Sequence, residues 1–144
     1  MFDKSTFSDD GAPLARLSGP DGRPLQALLA DDNPVNREVG VALLEELGLL
    51  VDTAVDGREA VERVAAGRYD LVLMDMQMPR LDGLDATREI RALPGCATLP
   101  VIAMTANAFD HNRAECLAAG MNDFVTKPVD LPALAATLRR WAPR

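Results

Sequence analysis

Histidine, cysteine and basic charge are scarce in this sequence, and long apolar runs are missing. One histidine, His111, and two cysteines, Cys96 and Cys116, stand in different segments without a CxxC pair or metal-ligand spacing, which argues against a disulfide scaffold or a zinc site. Lys plus Arg number 15 against 22 Asp plus Glu, a formal charge of −7. A nucleic-acid groove needs the opposite field, so nucleic acid is not expected as a partner. The acidic start, MFDKSTFSDD, lacks the basic stretch and apolar core of a signal peptide. No apolar run approaches the roughly 20 residues that span a bilayer. These absences point to a reducing, cytoplasmic setting without direct membrane contact, with the reservation that a piece of a longer chain could belong to a membrane-anchored parent.

What is present suits one globular domain: 144 residues, 48% hydrophobic and 26% charged, with 10 Gly and 10 Pro. Residues 1–25 mix Gly, Pro, Ser and Asp with isolated leucines and read as a tail or linker, either joined to something upstream or a plain extension of a small protein. A folded unit follows over 26–141, and 142–144 form a short tail. Within the unit, short apolar runs alternate with longer amphipathic segments. Strands are expected at 26–30, 50–54, 71–74, 100–104 and 123–126, and helices at 34–47, 58–66, 84–92, 112–118 and 131–140. Asn33 can cap the first helix, Pro34 fits its first turn and Gly48 stops it. Val35, Val39, Ala42, Leu43 and Leu47 are expected on its buried stripe, with Arg37, Glu38 and Glu45 towards water. The second helix is expected to bury Ala60, Val61, Val64 and Ala65, and the last Leu131, Leu134, Ala135 and Leu138. Five βα units predict an α/β fold, a doubly wound five-stranded parallel sheet in the flavodoxin-like order 2-1-3-4-5.

That order makes the first and third strands neighbours. The run Leu28-Leu29-Ala30 ends in Asp31-Asp32, and Leu71-Val72-Leu73-Met74 ends in Asp75. Open α/β sheets place their chemistry at the carboxyl edge. Three carboxylates meeting there are costly unless a cation or proton compensates them, and Mg²⁺ suits such oxygen ligands. A lone Asp at a strand end is often only a cap, and Asp32 before Asn33-Pro34 could be that. In the chemical reading, Asp75 is the nucleophile that takes a phosphoryl group. Asp32 is the first metal ligand, Asp31 a second or a holder of metal-bound water, and Gln77 lends a backbone carbonyl. The fourth strand runs into Thr105 and the fifth into Lys127, a hydroxyl and an ammonium able to hold phosphoryl oxygens, although each could be an ordinary turn or surface residue. Gln77 and Asn107, each two residues beyond a strand-end group, would line the approach of hydrolytic water. His111 reads as a surface or capping residue.

The strings LLADDNPVNREV, YDLVLMDMQMPRLDG, VIAMTANAF and AGMNDFVTKPVD resemble the receiver domain of two-component response regulators, especially receivers attached to hybrid sensor histidine kinases. The resemblance implies that Asp75 accepts phosphate from a phosphohistidine, that Asp31 and Asp32 bind Mg²⁺, and that Thr105 and Lys127 are the partner hydroxyl and lysine. It also implies a switch in which Thr105 moves towards the phosphoryl group and the aromatic residue of the fifth strand, Phe124, turns inward. Phe124 lacks the phenolic hydroxyl frequent at that position, and packing alone is its other reading.

The partner implied is a histidine kinase or histidine phosphotransfer domain, within the same chain if this is part of a hybrid kinase. Val35, Asn36, Val39 and Leu43 of the first helix offer a surface for a docking helix. Self-phosphorylation and self-dephosphorylation leave the label of enzyme open, with signal transfer as the output. Two other readings stand beside this one. A phosphorylation-independent binding or dimerisation module could use the same fold; a small-molecule phosphatase would want a second acid where Gln77 stands.

Overall fold

The computed structural model describes residues 24–76, 81–105, 112–126 and 130–141. Five strands and five helices alternate: β1 (Gln26–Ala30), α1 (Pro34–Glu46), β2 (Leu50–Ala54), α2 (Gly57–Ala66), β3 (Leu71–Asp75), α3 (Gly83–Ala92), β4 (Val101–Thr105), α4 (Asn112–Ala119), β5 (Asp123–Thr126) and α5 (Leu131–Trp141). All strand pairs are parallel, in the order β2-β1-β3-β4-β5. The doubly wound order read from the sequence is therefore the observed one.

Alternation along each strand builds two cores. Leu29, Leu71, Leu73, Ile102 and Met104 face one layer, closed by Leu44 and Leu47 at the end of α1 and by Leu134 and Leu138 of α5. Leu28, Val72, Met74, Val101 and Ala103 face the other, beneath Ala60 and Val64 of α2, Ile90 of α3 and Cys116 of α4. β3 is buried along its whole length, as a central strand covered on both faces must be.

Several boundaries shift by one residue from those expected. β3 takes in Asp75 and β4 takes in Thr105, so both polar residues belong to the sheet edge itself. α2 starts one residue early because Asp56 caps it, accepting from Glu59 N at 2.8 Å. α3 starts at Gly83, after the Asp82 cap. α5 runs on to Trp141, whose Nε1 donates to Asp123 Oδ2 at 2.8 Å.

The expected stripe on α1 needs correction. Val35 is 66% and Val39 51% exposed, Ala42 is also exposed, and the helix buries Leu44 instead. A glycine carries no apolar signal, yet Gly40 lies on the inward face: a Cβ there would sit 2.6 Å from Leu29 Cδ2. The inward face is therefore rotated away from the valines. Arg37, expected in water, is half-buried, and Ala65 of α2, expected in the core, is exposed.

A second network fixes the opposite, amino edge of the sheet. Arg91 of α3 donates to the carbonyls of Cys96, Leu99 and Gly120 and to Asn122 Oδ1, all at 2.6–3.0 Å. Asn122 Oδ1 also accepts from Val101 N at 2.9 Å, which ties the starts of β4 and β5 together. Burial pushes the Arg91 pKa down, and neutral carbonyls satisfy its donors in place of a carboxylate. Near β2, Tyr69 donates to Asp52 Oδ2 at 2.8 Å; burial first, then that carboxylate, raise its pKa to about 12.

The first residue of α2 meets the chain leading into α3 at a distance no side chain tolerates. A Cβ on Gly57 would lie 2.0 Å from the backbone oxygen of Leu81. Gly57→Ala is expected to lower unfolding free energy by about 1–3 kcal/mol through backbone displacement, measured by urea denaturation. An unchanged midpoint would show that this approach is relaxed in solution.

Candidate functional site

β1 and β3 pair with Ala27 opposite Leu71 and Ala30 opposite Met74. Continuing that register by one residue sets Asp31 beside Asp75, on strands about 4.8 Å apart. Both have the parity of Leu29 and Leu73, so they leave the sheet on the same side. Asp31 is 1% and Asp75 6% exposed, while Asp32 is exposed to solvent. Carboxylate oxygens of Asp31, Asp32 and Asp75 all lie within 4.8 Å of one another.

Local chain chemistry explains how adjacent residues 31 and 32 reach one cluster. Side chains alternate faces along a strand, so the chain must bend as it leaves β1, and it does so at Asp32. Asp31 N still donates to Ala54 O at 3.1 Å, the last tie to β2. Asp31 Oδ1 then accepts from Asn33 N at 3.0 Å. Asn33, not Asp32, caps α1, accepting from Val35 N at 2.9 Å and Asn36 N at 3.1 Å. Asp32 is thus released from the capping role and stays at the mouth of the site.

The end of β3 is held as tightly. Met76 N donates to Met104 O at 3.2 Å, and Gly83 N to Met76 O at 3.2 Å. A Cβ on Gly83 would lie 2.5 Å from the carbonyl oxygen of Asp75, so only glycine lets α3 begin this close. Behind Met76, the Cys116 thiol of α4 approaches Met76 Sδ at 3.6 Å. Burial pushes the Cys116 pKa up, which suits a packing role for this thiol.

Thr105 ends β4, in register with Thr126 of β5, one strand over from Asp75. Phe124 is half-buried and packs against the α2–α3–α4 layer. Gln77, Asn107, Lys127 and His111 lie outside the described residues. Under α1, an apolar cavity of about 170 Å³ opens beside Asp31, lined by Leu29, Val39, Leu43, Leu73 and Met104 among others.

The donor set tests well for a hard divalent cation. It contains carboxylate oxygen alone, two groups are buried and fixed, and the third faces solvent, where a metal could keep its waters. Three like charges at this separation are relieved by such an ion. Sequence reasoning placed the acids but missed three supports. Gly83 reads only as turn punctuation, Gly57 is not singled out, and Arg37 reads as a solvated residue on a helix face.

The family model of the response regulator receiver domain matches residues 27–139, and this chain belongs to that family, the phosphoacceptor domains of two-component signalling. Among curated relatives, the aerobic respiration control sensor protein ArcB of Escherichia coli (strain K12) is 38% identical over 136 residues, 94% of this chain and 16% of the relative. The signal transduction histidine-protein kinase BarA of the same organism is 40% identical over 119 residues, 83% of this chain and 13% of the relative. The chain therefore spans 16% or less of these proteins. Among solved structures, the receiver domain of a sensor histidine kinase from Pseudomonas aeruginosa PAO1 is 47% identical with a TM-score of 0.77, covering 82% of this chain and 97% of that one. That structure has a magnesium ion coordinated in its active site cleft. A Saccharomyces cerevisiae complex of the histidine phosphotransfer protein Ypd1 with the receiver domain of Ssk1 matches at 28% identity and a TM-score of 0.74, over 83% of this chain and 89% of that one. No helix among the described residues is long and apolar enough to cross a membrane.

A ligand that binds only the folded site stabilises it by mass action. Mg²⁺ at ten times its dissociation constant is expected to add about 1.4 kcal/mol to unfolding free energy, read as a raised thermal midpoint. Asp32→Asn, an exposed substitution, should remove most of that rise; a rise equal to wild type would take Asp32 out of the metal site.

Proposed function

We propose that this chain is the phosphoacceptor switch of a phosphorelay, taking a phosphoryl group from phosphohistidine onto Asp75 with Mg²⁺ held by Asp31, Asp32, Asp75 and the Gln77 carbonyl. The observation that carries it is the carboxylate cluster at the carboxyl edge, with Asp75 at the end of the central, fully buried strand. Mg²⁺ would neutralise charge on the incoming phosphoryl group and align its oxygens. A carboxylate oxygen of Asp75 attacks phosphorus, an O–P bond forms as the N–P bond breaks, and the imidazole departs. Asp31, pinned by its bond from Asn33 N, and Asp32, at the mouth, give the cation its protein oxygens.

Thr105 and Lys127 take phosphoryl oxygens once Asp75 is modified, through charge-assisted hydrogen bonds. Thr105 ends the strand beside β3, so a short displacement of β4's end brings its hydroxyl over. Phe124 turns inward as Thr105 leaves its resting place, and the face formed by α4, β5 and α5 carries the change outward. Gln77 and Asn107 are neutral amides, which cannot serve as a general base, so water attack on the acyl phosphate depends on metal and geometry.

The phosphodonor is a histidine kinase or histidine phosphotransfer domain, in the same polypeptide if this chain is the receiver of a hybrid kinase. Val35 and Val39 are both more than half exposed, and Val39 borders the apolar cavity beside Asp31. A partner helix laid there brings its histidine to Asp75 while burying those valines.

Incubation with acetyl phosphate or phosphoramidate and Mg²⁺ is expected to add the mass of one phosphoryl group. Chelation of the metal, or Asp75→Asn, should abolish the addition. An intact Asp75→Asn variant that still gains the mass would move the acceptor elsewhere. A wild-type chain that is folded and never gains it would favour a phosphorylation-independent binding module.

A further inference from the structure

The exit of β1 poses a problem that the acids do not solve themselves. Asp32 is exposed and makes no hydrogen bond among the described residues, so its direction is set by the backbone that carries it. That backbone hangs on the peptide joining Asp31 to Asp32. The Asp31 carbonyl lies one residue past the last β1–β3 pair, where the chain turns out of the sheet. The backbone amide of Asn33 is directed at the Asp31 side chain, donating to Oδ1 at 3.0 Å, while Asn33 Oδ1 accepts from Val35 N and Asn36 N.

Arg37 reaches this peptide directly. From one turn into α1 its Nη1 reaches back and donates to the Asp31 carbonyl at 2.8 Å, while its own amide closes the first turn on Asn33. One residue thereby holds both ends of the bend that contains Asp32. We propose that Arg37 is a positioning residue of the metal site: it locks the Asp31–Asp32 peptide so that the exposed Asp32 carboxylate stays turned towards Asp31 and Asp75. Ordering a mobile carboxylate in advance removes a cost that metal binding would otherwise carry. The proposal rests on the metal role given to the acidic cluster above.

Electrostatics and positioning predict opposite signs here. A guanidinium beside a cation site repels the cation, so its removal on charge grounds alone should tighten Mg²⁺ binding. If Arg37 orders Asp32, its removal should weaken binding. Isothermal titration of the whole chain with Mg²⁺ alone decides between them, comparing wild type, Arg37→Met and Asp32→Asn, with circular dichroism to establish that each is folded. Arg37→Met is expected to bind Mg²⁺ about tenfold more weakly, the scale at which residues that orient metal ligands act. Equal or tighter binding overturns the proposal. Should Arg37→Met lose its fold, Arg37→Gln is read in the same way, weaker binding supporting the assignment and unchanged or tighter binding overturning it. Mg²⁺ binding by wild type that Asp32→Asn abolishes supports the metal reading whatever Arg37 does. A folded wild type that binds no Mg²⁺ overturns that reading and this proposal together.

Discussion

Negative charge gathered at one edge of a parallel sheet is the constraint around which this molecule is organised. Two neighbouring strands, β1 and β3, end in register, and their terminal carboxylates, with Asp32 beside them, lie within 4.8 Å. No isolated chain segment would hold three like charges so close. The cost is met by burial of the whole of β3, the two apolar layers that clamp the sheet, and the backbone hydrogen bonds that fix each strand exit. The same crowding that is unfavourable for the bare protein makes the site receptive to a divalent cation and, through it, to a phosphoryl group.

Stability and function are separated across the sheet. At the amino edge, the Arg91 guanidinium and Asn122 bind neutral carbonyls and one strand amide, a network that sets where β4 and β5 begin. At the carboxyl edge, the groups at the strand ends carry charge or a rotatable hydroxyl. The proposed switch would use this division, because one end of the strands must stay in place for small movements at the other to have a direction. The sulfur contact between Cys116 and Met76 and the close start of α3 at Gly83 tie the layer of α3 and α4 to the residues around Asp75.

Much of the fold was legible because its signals are local and repeated. Buried parallel strands read as unbroken apolar runs and helices as longer amphipathic segments. The acidic cluster followed from strand order alone. What was not legible depended on tertiary approach. Gly57 and Gly83 show their purpose only where a carbonyl from a distant segment arrives at the missing Cβ. On α1, hydrophobicity pointed to Val35 and Val39, whereas Gly40 and Leu44 mark the inward face, because a glycine packs closely without any apolar signature. Arg37 belongs to the same class: a charged residue on an exposed helix reads as solvated until the strand exit it reaches is seen. The valines left outside are then free to serve as a contact surface.

The central claim is that the oxygens of residues 31, 32 and 75 share one divalent ion. Crystals of the chain soaked in Mn²⁺, a substitute for Mg²⁺ with an anomalous X-ray signal, test it most directly. The account predicts a single strong anomalous peak bonded to carboxylates of this trio. A peak elsewhere, or an ordered cleft with none at saturating metal, would contradict it.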